Sequence, residues 1–197
     1  MSERHRSRRA GVLVPLFSIP TADSWGIGEI ADLPAFASWV RRSGLSAVQL
    51  LPINEMAEGQ SSPYSALSAM AIDPIFIAIR DLPEFVAAGE DALTIEQREV
   101  LDEVRRAGAV RYGEVRALKI AVLRDAFARF VEGEWRTGGP RAEGMRRYVE
   151  RERWWLADYA LFRALHAEYD RRYWIEWPDG IRQRDPGVAA DRSSAQS

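Results

Sequence analysis

Two short apolar runs separated by an amphipathic stretch constrain this chain more than any other feature of its sequence. Gly11 to Leu16 and Ala47 to Leu51 are rich in β-branched and aliphatic residues, the first ended by Pro15 and a polar segment, the second followed by Pro52. Runs of this length and composition suit strands buried on both faces. Between them Leu33, Phe36, Ala37 and Val40 recur at helical spacing, Asp32 stands at the N-cap, Pro34 falls where the first turn tolerates it, and Gly44 marks the exit. Strand, helix and strand in that order imply a parallel pair with a right-handed crossover, the unit of α/β folds. A third extended run, Pro74 to Ile79, is expected after a long polar loop.

From about Leu82 the pattern changes to amphipathic helices, which in an α/β chain reads as a helical insertion. Thr94 and Gln97 form a capping box ahead of Val100, Leu101 and Val104, and Val115, Leu118, Val122, Ala126 and Phe130 line one face of the next helix. Gly138, Gly139 and Pro140 break the pattern. A last long helix is expected from near Gly144 through Tyr148, Leu156 and Tyr159, with a strand left open as the alternative because 154–162 is apolar nearly all round. The expected division is a disordered basic tail over 1–10, opening strands and a loop over 11–81, the insertion over 82–150, and a following segment with a polar tail over 151–197. Two strands followed by helices make only the beginning of an α/β sheet or barrel, since a parallel sheet needs both faces covered. The chain is therefore expected either to pair with something else or to be the front portion of a longer protein.

Composition narrows the function classes. Twenty-seven basic residues against twenty-nine acidic leave a net charge of -2, which removes the electrostatic footprint of a general nucleic-acid binder. There is no cysteine, so disulfides, thiolate zinc sites and cysteine nucleophiles are excluded and the cytoplasm is the expected setting. His5 and His166 are the only imidazoles, too few for a His-based metal site or a Ser/His/Asp triad. Lys119 is the only lysine, which reads as coding bias toward arginine. Arg8 and Arg9 before an apolar run resemble a twin-arginine export signal, but Pro15 interrupts the run and no small-x-small cleavage site follows. The run is also far too short to span a membrane.

Four constellations invite a chemical reading. Gly26, Gly28 and Ala31 match the GxGxxA form of a dinucleotide fingerprint, but the glycines come well past the end of the first strand and the helix starts later still, so the context is wrong. The dense aromatics Trp154, Trp155, Tyr159, Phe162, Tyr169, Tyr173, Trp174 and Trp177 are expected to be mostly core, and Glu150, Glu152, Asp158 and Glu168, interleaved with Arg151, Arg153 and Arg163, to form a solvated ion-paired face. More informative is the loop Gly59, Gln60, Ser61, Ser62, Pro63, Tyr64 and Ser65, which follows the carboxyl end of the second strand, the side where ligands bind in parallel α/β folds. A tyrosine on a proline-stiffened loop offers a ring face to a sugar and a hydroxyl to its oxygens, and Ser61 and Ser62 add donors and acceptors. Packing of Tyr64 against the sheet is the competing reading.

The segments GVLVPLFSI (11–19), WGIGEIADL (25–33), VQLLPINE (48–55) and SSPYSALSAMAIDPIFI (61–77) resemble, in order and spacing, the opening motifs of the 4-α-glucanotransferases, or amylomaltases, of glycoside hydrolase family 77. VRYGEVRALKIAVLRDAFARF (110–130), WWLADYALFRAL (154–165) and WPDGIRQRDP (177–186) resemble that family's helical insertion and the segment after it. The resemblance implies the opening strands of a (β/α)8 TIM barrel interrupted by helical subdomains, and an enzyme that breaks an α-1,4-glucosidic bond and passes the glucan to another sugar hydroxyl. It implies a maltooligosaccharide or α-1,4-glucan substrate, no metal or organic cofactor, and no nucleic-acid or membrane partner. Such enzymes are retaining: one carboxylate attacks the anomeric carbon, an acid protonates the leaving oxygen, and a sugar hydroxyl resolves the intermediate.

Carried onto this chain, Ser62, Pro63 and Tyr64 match the family's SPY loop, making Tyr64 and Ser62 the expected substrate contacts. Gly26 and Gly28 match a structural turn of the first βα loop. Ser61, Ser65 and Asp73 depart from the residues common there, Asp, Gln and Asn respectively. The family's nucleophile, in an Arg-x-Asp segment, its acid/base glutamate and its HDN-type aspartate have no counterpart here, since Arg124 with Asp125 and Arg184 with Asp185 belong to segments already matched elsewhere. No catalytic residue is therefore expected within the chain, and the 197 residues alone are expected to be inactive. The alternative is a catalytically inactive glucan-binding or interaction module.

Overall fold

The computed structural model describes residues 9–57, 59–60 and 62–183. The basic tail up to Arg8, Ser61 of the polar loop and the segment 184–197 lie outside the described residues. Two compact units divide at Gly139 and Pro140.

Strand β1 (Gly11–Val14), helix α1 (Leu33–Arg42) and strand β2 (Ala47–Leu50) make the expected crossover, with β1 and β2 parallel in the register Gly11 to Ala47 through Val14 to Leu50. Gly44, at φ +80°, turns the chain out of α1, and the Leu45 amide donates to the Val40 carbonyl at 3.2 Å to close the helix end. Both strands differ from the fully buried expectation. Their residues alternate exposed and half-buried, and Leu13 is 59% exposed. A two-stranded sheet has only edges, and only one of its faces meets other parts of the described chain.

Pro74 to Ile79 is not a strand. Pro74–Phe76 and Ile79–Asp81 are short 3-10 turns, because the Asp73 carboxylate accepts from the Ile75 amide at 3.1 Å and Pro74 has the fixed φ of a first helical position. Helices α2 (Pro83–Val86), α3 (Ile95–Arg106) and α4 (Tyr112–Phe130) follow, α4 running into a π turn over Val131–Trp135. The Thr94 and Gln97 capping box forms at 3.1 and 3.0 Å. Val115, Leu118, Val122, Ala126 and Phe130 are all buried on α4. The core of the first unit collects Leu16, Trp25, Ile75, Ile79, Leu101 and Val115, with the Trp25 and Phe85 rings edge-on at 5.5 Å. Loops and helices α3 and α4 thus carry the packing.

In the second unit α5 (Pro140–Arg151), α6 (Arg153–Glu168) and α7 (Asp179–Arg182) follow one another. The single helix expected from Gly144 is instead two helices broken at Glu152, whose φ −94° and ψ 5° leave the helical basin. Residues 154–162 are helical, so the strand alternative falls. Of the aromatics expected to be mostly core, only Trp177 is buried, with Phe162 and Tyr169 ringed against it at 5.7 and 5.8 Å; Trp154, Tyr173 and Trp174 are exposed. Helical geometry spreads a nearly all-apolar run around the axis, and two short helices cannot cover every side of it. The acidic and basic residues pair on the surface as expected, Arg151 with Glu152 at 2.7 Å and Arg153 with Glu150 at 3.9 Å.

Candidate functional site

The long polar loop is held by a set of backbone pairs that begins as soon as β2 ends. Asn54 bridges Ile72 and Met56 bridges Ala66 in antiparallel fashion, and the amides of Glu55, Leu67 and Asp73 donate to the carbonyls of Ala71, Glu55 and Ile53 at 2.9, 2.7 and 3.0 Å. The tip is a tight turn: the Ser65 amide donates to the Ser62 carbonyl at 3.0 Å and the Tyr64 amide to Ser62 Oγ at 3.3 Å. Accepting that bond leaves the Ser62 O–H as a donor. Pro63 fixes its own φ within the turn. Tyr64 is thereby lifted off the body of the protein, 73% exposed, which sets aside the competing reading of a ring packed against the sheet.

Behind the loop lies a buried charge network that sequence patterns did not reveal. Lys119, on the buried face of α4, is fully enclosed, and its Nζ donates to Glu29 Oε1 at 2.5 Å and to the carbonyls of Ile75 and Ile77 at 2.7 and 2.9 Å. Glu29 Oε2 accepts from Arg80 at 2.6 Å, and Arg80 reaches Asp32 Oδ1 at 2.8 Å. Burial pushes Glu29 up from the usual carboxylate value against the attraction of Lys119, and burial pushes Lys119 down. Asp32, expected to cap α1 through its side chain, instead turns back to accept from the Glu29 amide at 2.7 Å, because the preceding turn offers donors at closer range.

The glycines of the fingerprint-like segment serve packing. A Cβ on Gly28 would collide with the Leu16 carbonyl, and one on Gly26, at φ +72°, would come within 2.7 Å of Val104 Cβ. Gly28→Ala is expected to cost about 1–3 kcal/mol by forcing backbone apart, read as a lowered calorimetric midpoint; an unchanged midpoint would show the turn to be looser than described. Among the described residues no cluster of three or more His, Asp and Glu side chains could hold a metal ion.

A family model described as 4-alpha-glucanotransferase, glycoside hydrolase family 77, matches residues 14–197. The chain belongs to that family. A 4-alpha-glucanotransferase of Chlamydia pneumoniae is 31% identical over 179 residues, covering 91% of this chain and 32% of the relative. One of Thermus thermophilus is 31% identical over 189 residues, covering 95% of this chain and 35% of the relative. Among solved structures, the amylomaltase from Streptococcus agalactiae in complex with acarbose superposes with a TM-score of 0.70 at 23% identity, covering 93% of this chain and 35% of that one. This glucanotransferase-family chain thus spans about a third of the length of the relatives it matches, and it shares the fold of the Streptococcus agalactiae amylomaltase over nearly all of its own length. No described helix is long and apolar enough to cross a membrane.

Proposed function

We propose that this chain forms the opening of the (β/α)8 barrel of a 4-α-glucanotransferase and supplies one wall of its glucan cleft. The division proposed is strands and substrate loop over 11–81, a helical insertion over 82–150 and a further barrel segment from 151. Tyr64 stacks on an α-linked glucose ring and Ser62 hydrogen-bonds a sugar hydroxyl. The reaction served is transfer of α-1,4-glucan segments between maltooligosaccharides by double displacement, its carboxylates coming from sequence outside these residues. A cysteine-free composition supports a cytoplasmic setting. The complex of an amylomaltase with acarbose supports the substrate class.

The observation that carries this reading is the Tyr64 ring, held outward on a closed turn just beyond β2 in a chain of this family. Calorimetric titration with maltoheptaose tests it. Tyr64→Ala is expected to weaken binding by about tenfold or more, the loss of one well-placed ring contact. Equal measurable affinities for the two proteins would remove Tyr64 from the site.

A further inference from the structure

The Tyr64 loop is fastened at its base to helix α4, and the fastening is ionic. Asp73 closes the loop and is fully buried. Its Oδ2 accepts from the Met56 amide at 3.0 Å, across the loop, while its Oδ1 accepts from the Ile75 amide at 3.1 Å. Both oxygens also receive Arg116 of α4, at 3.1 Å from Nη1 and 2.6 Å from Nη2, a two-pronged pair with Arg116 mostly covered. One turn further along the same helix Lys119 holds the carbonyls of Ile75 and Ile77. Met56 in turn bridges Ala66, and the Ala57 amide donates to the Ser65 carbonyl at 3.0 Å, directly beside Tyr64. The path from Arg116 to the tyrosine turn is therefore continuous and short.

We propose that Asp73 and Arg116 are positioning residues that set where the Tyr64 turn stands, so that helix α4 tunes glucan affinity without touching glucan. This rests on the reading of Tyr64 as a sugar contact. A planar guanidinium gripping both carboxylate oxygens fixes orientation as well as distance, which a single backbone bond cannot do. Backbone bonds hold the loop's shape, Met56 and Ile53 pack it against the hydrophobic core without fixing its orientation, and Asp73 with Arg116 adds the directional tie to α4.

Two measurements on the full chain decide the matter. Hydrogen exchange of the Met56, Ala57, Ser65 and Leu67 amides is expected to quicken by about tenfold in Arg116→Met while α3 amides keep their rates. In the double variant Asp73→Asn with Arg116→Met, no buried carboxylate is left unpaired, so the thermal midpoint is expected to recover. Loop exchange stays fast there, and maltoheptaose affinity stays about tenfold below that of the original chain. A pair that merely stabilises the fold would instead restore loop exchange and affinity together with the midpoint, and that result overturns the proposal. So does unchanged loop exchange in Arg116→Met. If the loop loosens in Arg116→Met but Tyr64→Ala binds maltoheptaose as the original chain does, the anchor stands and the sugar reading of Tyr64 fails.

Discussion

Lys119→Met is expected to cost the chain about 3–5 kcal/mol of folding free energy, read as a lowered urea midpoint with an unchanged slope. All three ammonium protons are used, on Glu29 Oε1 and on the Ile75 and Ile77 carbonyls, in a site with no exposed side-chain surface at either end of the pair. Methionine fills most of the volume but leaves two carbonyls without their donor, and leaves Glu29 leaning on Arg80 and on a longer bond from the Trp25 amide at 3.3 Å. Removing one partner of a buried ion pair strands the other, which is why the loss exceeds what the pair itself contributes. Glu29→Gln added to Lys119→Met is expected to recover part of that loss, since no uncompensated charge then remains next to the methionine. A single-variant loss below about 1 kcal/mol would mean that water or a neighbour reaches Glu29 in ways this packing does not allow.

Lys119 also shows where sequence reading stops. The strand, helix and strand order, the Thr94 and Gln97 box and the apolar stripe of α4 were all legible, because each is a local pattern of residue type and spacing. The same stripe held the clue to Lys119, which sits four residues after Val115 and three before Val122 and so must face the core with them. Among the described residues it is the one buried cation, which a bias toward arginine does not explain. Its partner was not legible, since Glu29 lies ninety positions away in sequence and only the tertiary fold brings them together. Pro74 to Ile79 misled for a related reason. Its apolar content suits a strand, but Asp73 before Pro74 is a turn starter whose carboxylate takes the Ile75 amide, and α4 fixes the segment through Arg116 on Asp73 and Lys119 on the Ile75 carbonyl. Tyr64 was legible through Ser62 and Pro63 as a loop residue, whereas its exposure depended on backbone pairs between 53–57 and 65–73 that no short-range pattern announces.

These long-range ties share a logic. The first βα loop contributes Glu29 and Asp32, the segment after the second loop contributes Arg80 and Asp73, and α4 contributes Arg116 and Lys119. Apolar packing among these three pieces is non-directional. Directional charge pairs give each a single seat, which matters most where a loop must present one ring at one place.

Asp32→Asn carries the second large effect, and its size depends on pH. The Asp32 side chain is fully buried. Its Oδ1 accepts from Thr21 Oγ1 at 2.9 Å and Arg80 at 2.8 Å, and its Oδ2 from Ser24 Oγ and the Glu29 amide at 2.7 Å each. An amide must turn one of those acceptors into a donor, facing either Arg80 or the Glu29 N–H, so a loss of about 3–5 kcal/mol is expected at neutral pH. Burial by itself would raise the Asp32 pKa, but the Glu29 amide, Ser24, Thr21 and Arg80 outweigh it and hold the carboxyl below its ordinary value. Through the acid range the unfolded chain therefore binds more protons at this site than the folded one, and the contribution of Asp32 to stability rises with pH. It is complete above the ordinary aspartate value and is lost as pH falls through the lowered folded value. Glu29, raised by burial, runs the other way: its contribution is greatest below the ordinary glutamate value and declines as pH rises through the raised one. The total acid profile mixes both, so the informative quantity is the difference in unfolding free energy between the original chain and Asp32→Asn across a urea series from neutral pH into the acid range. That difference is expected to be widest at neutral pH and to close as Asp32 takes up its proton. A gap that stays constant down to acid pH would assign the loss to shape alone and remove charge from the account of this site.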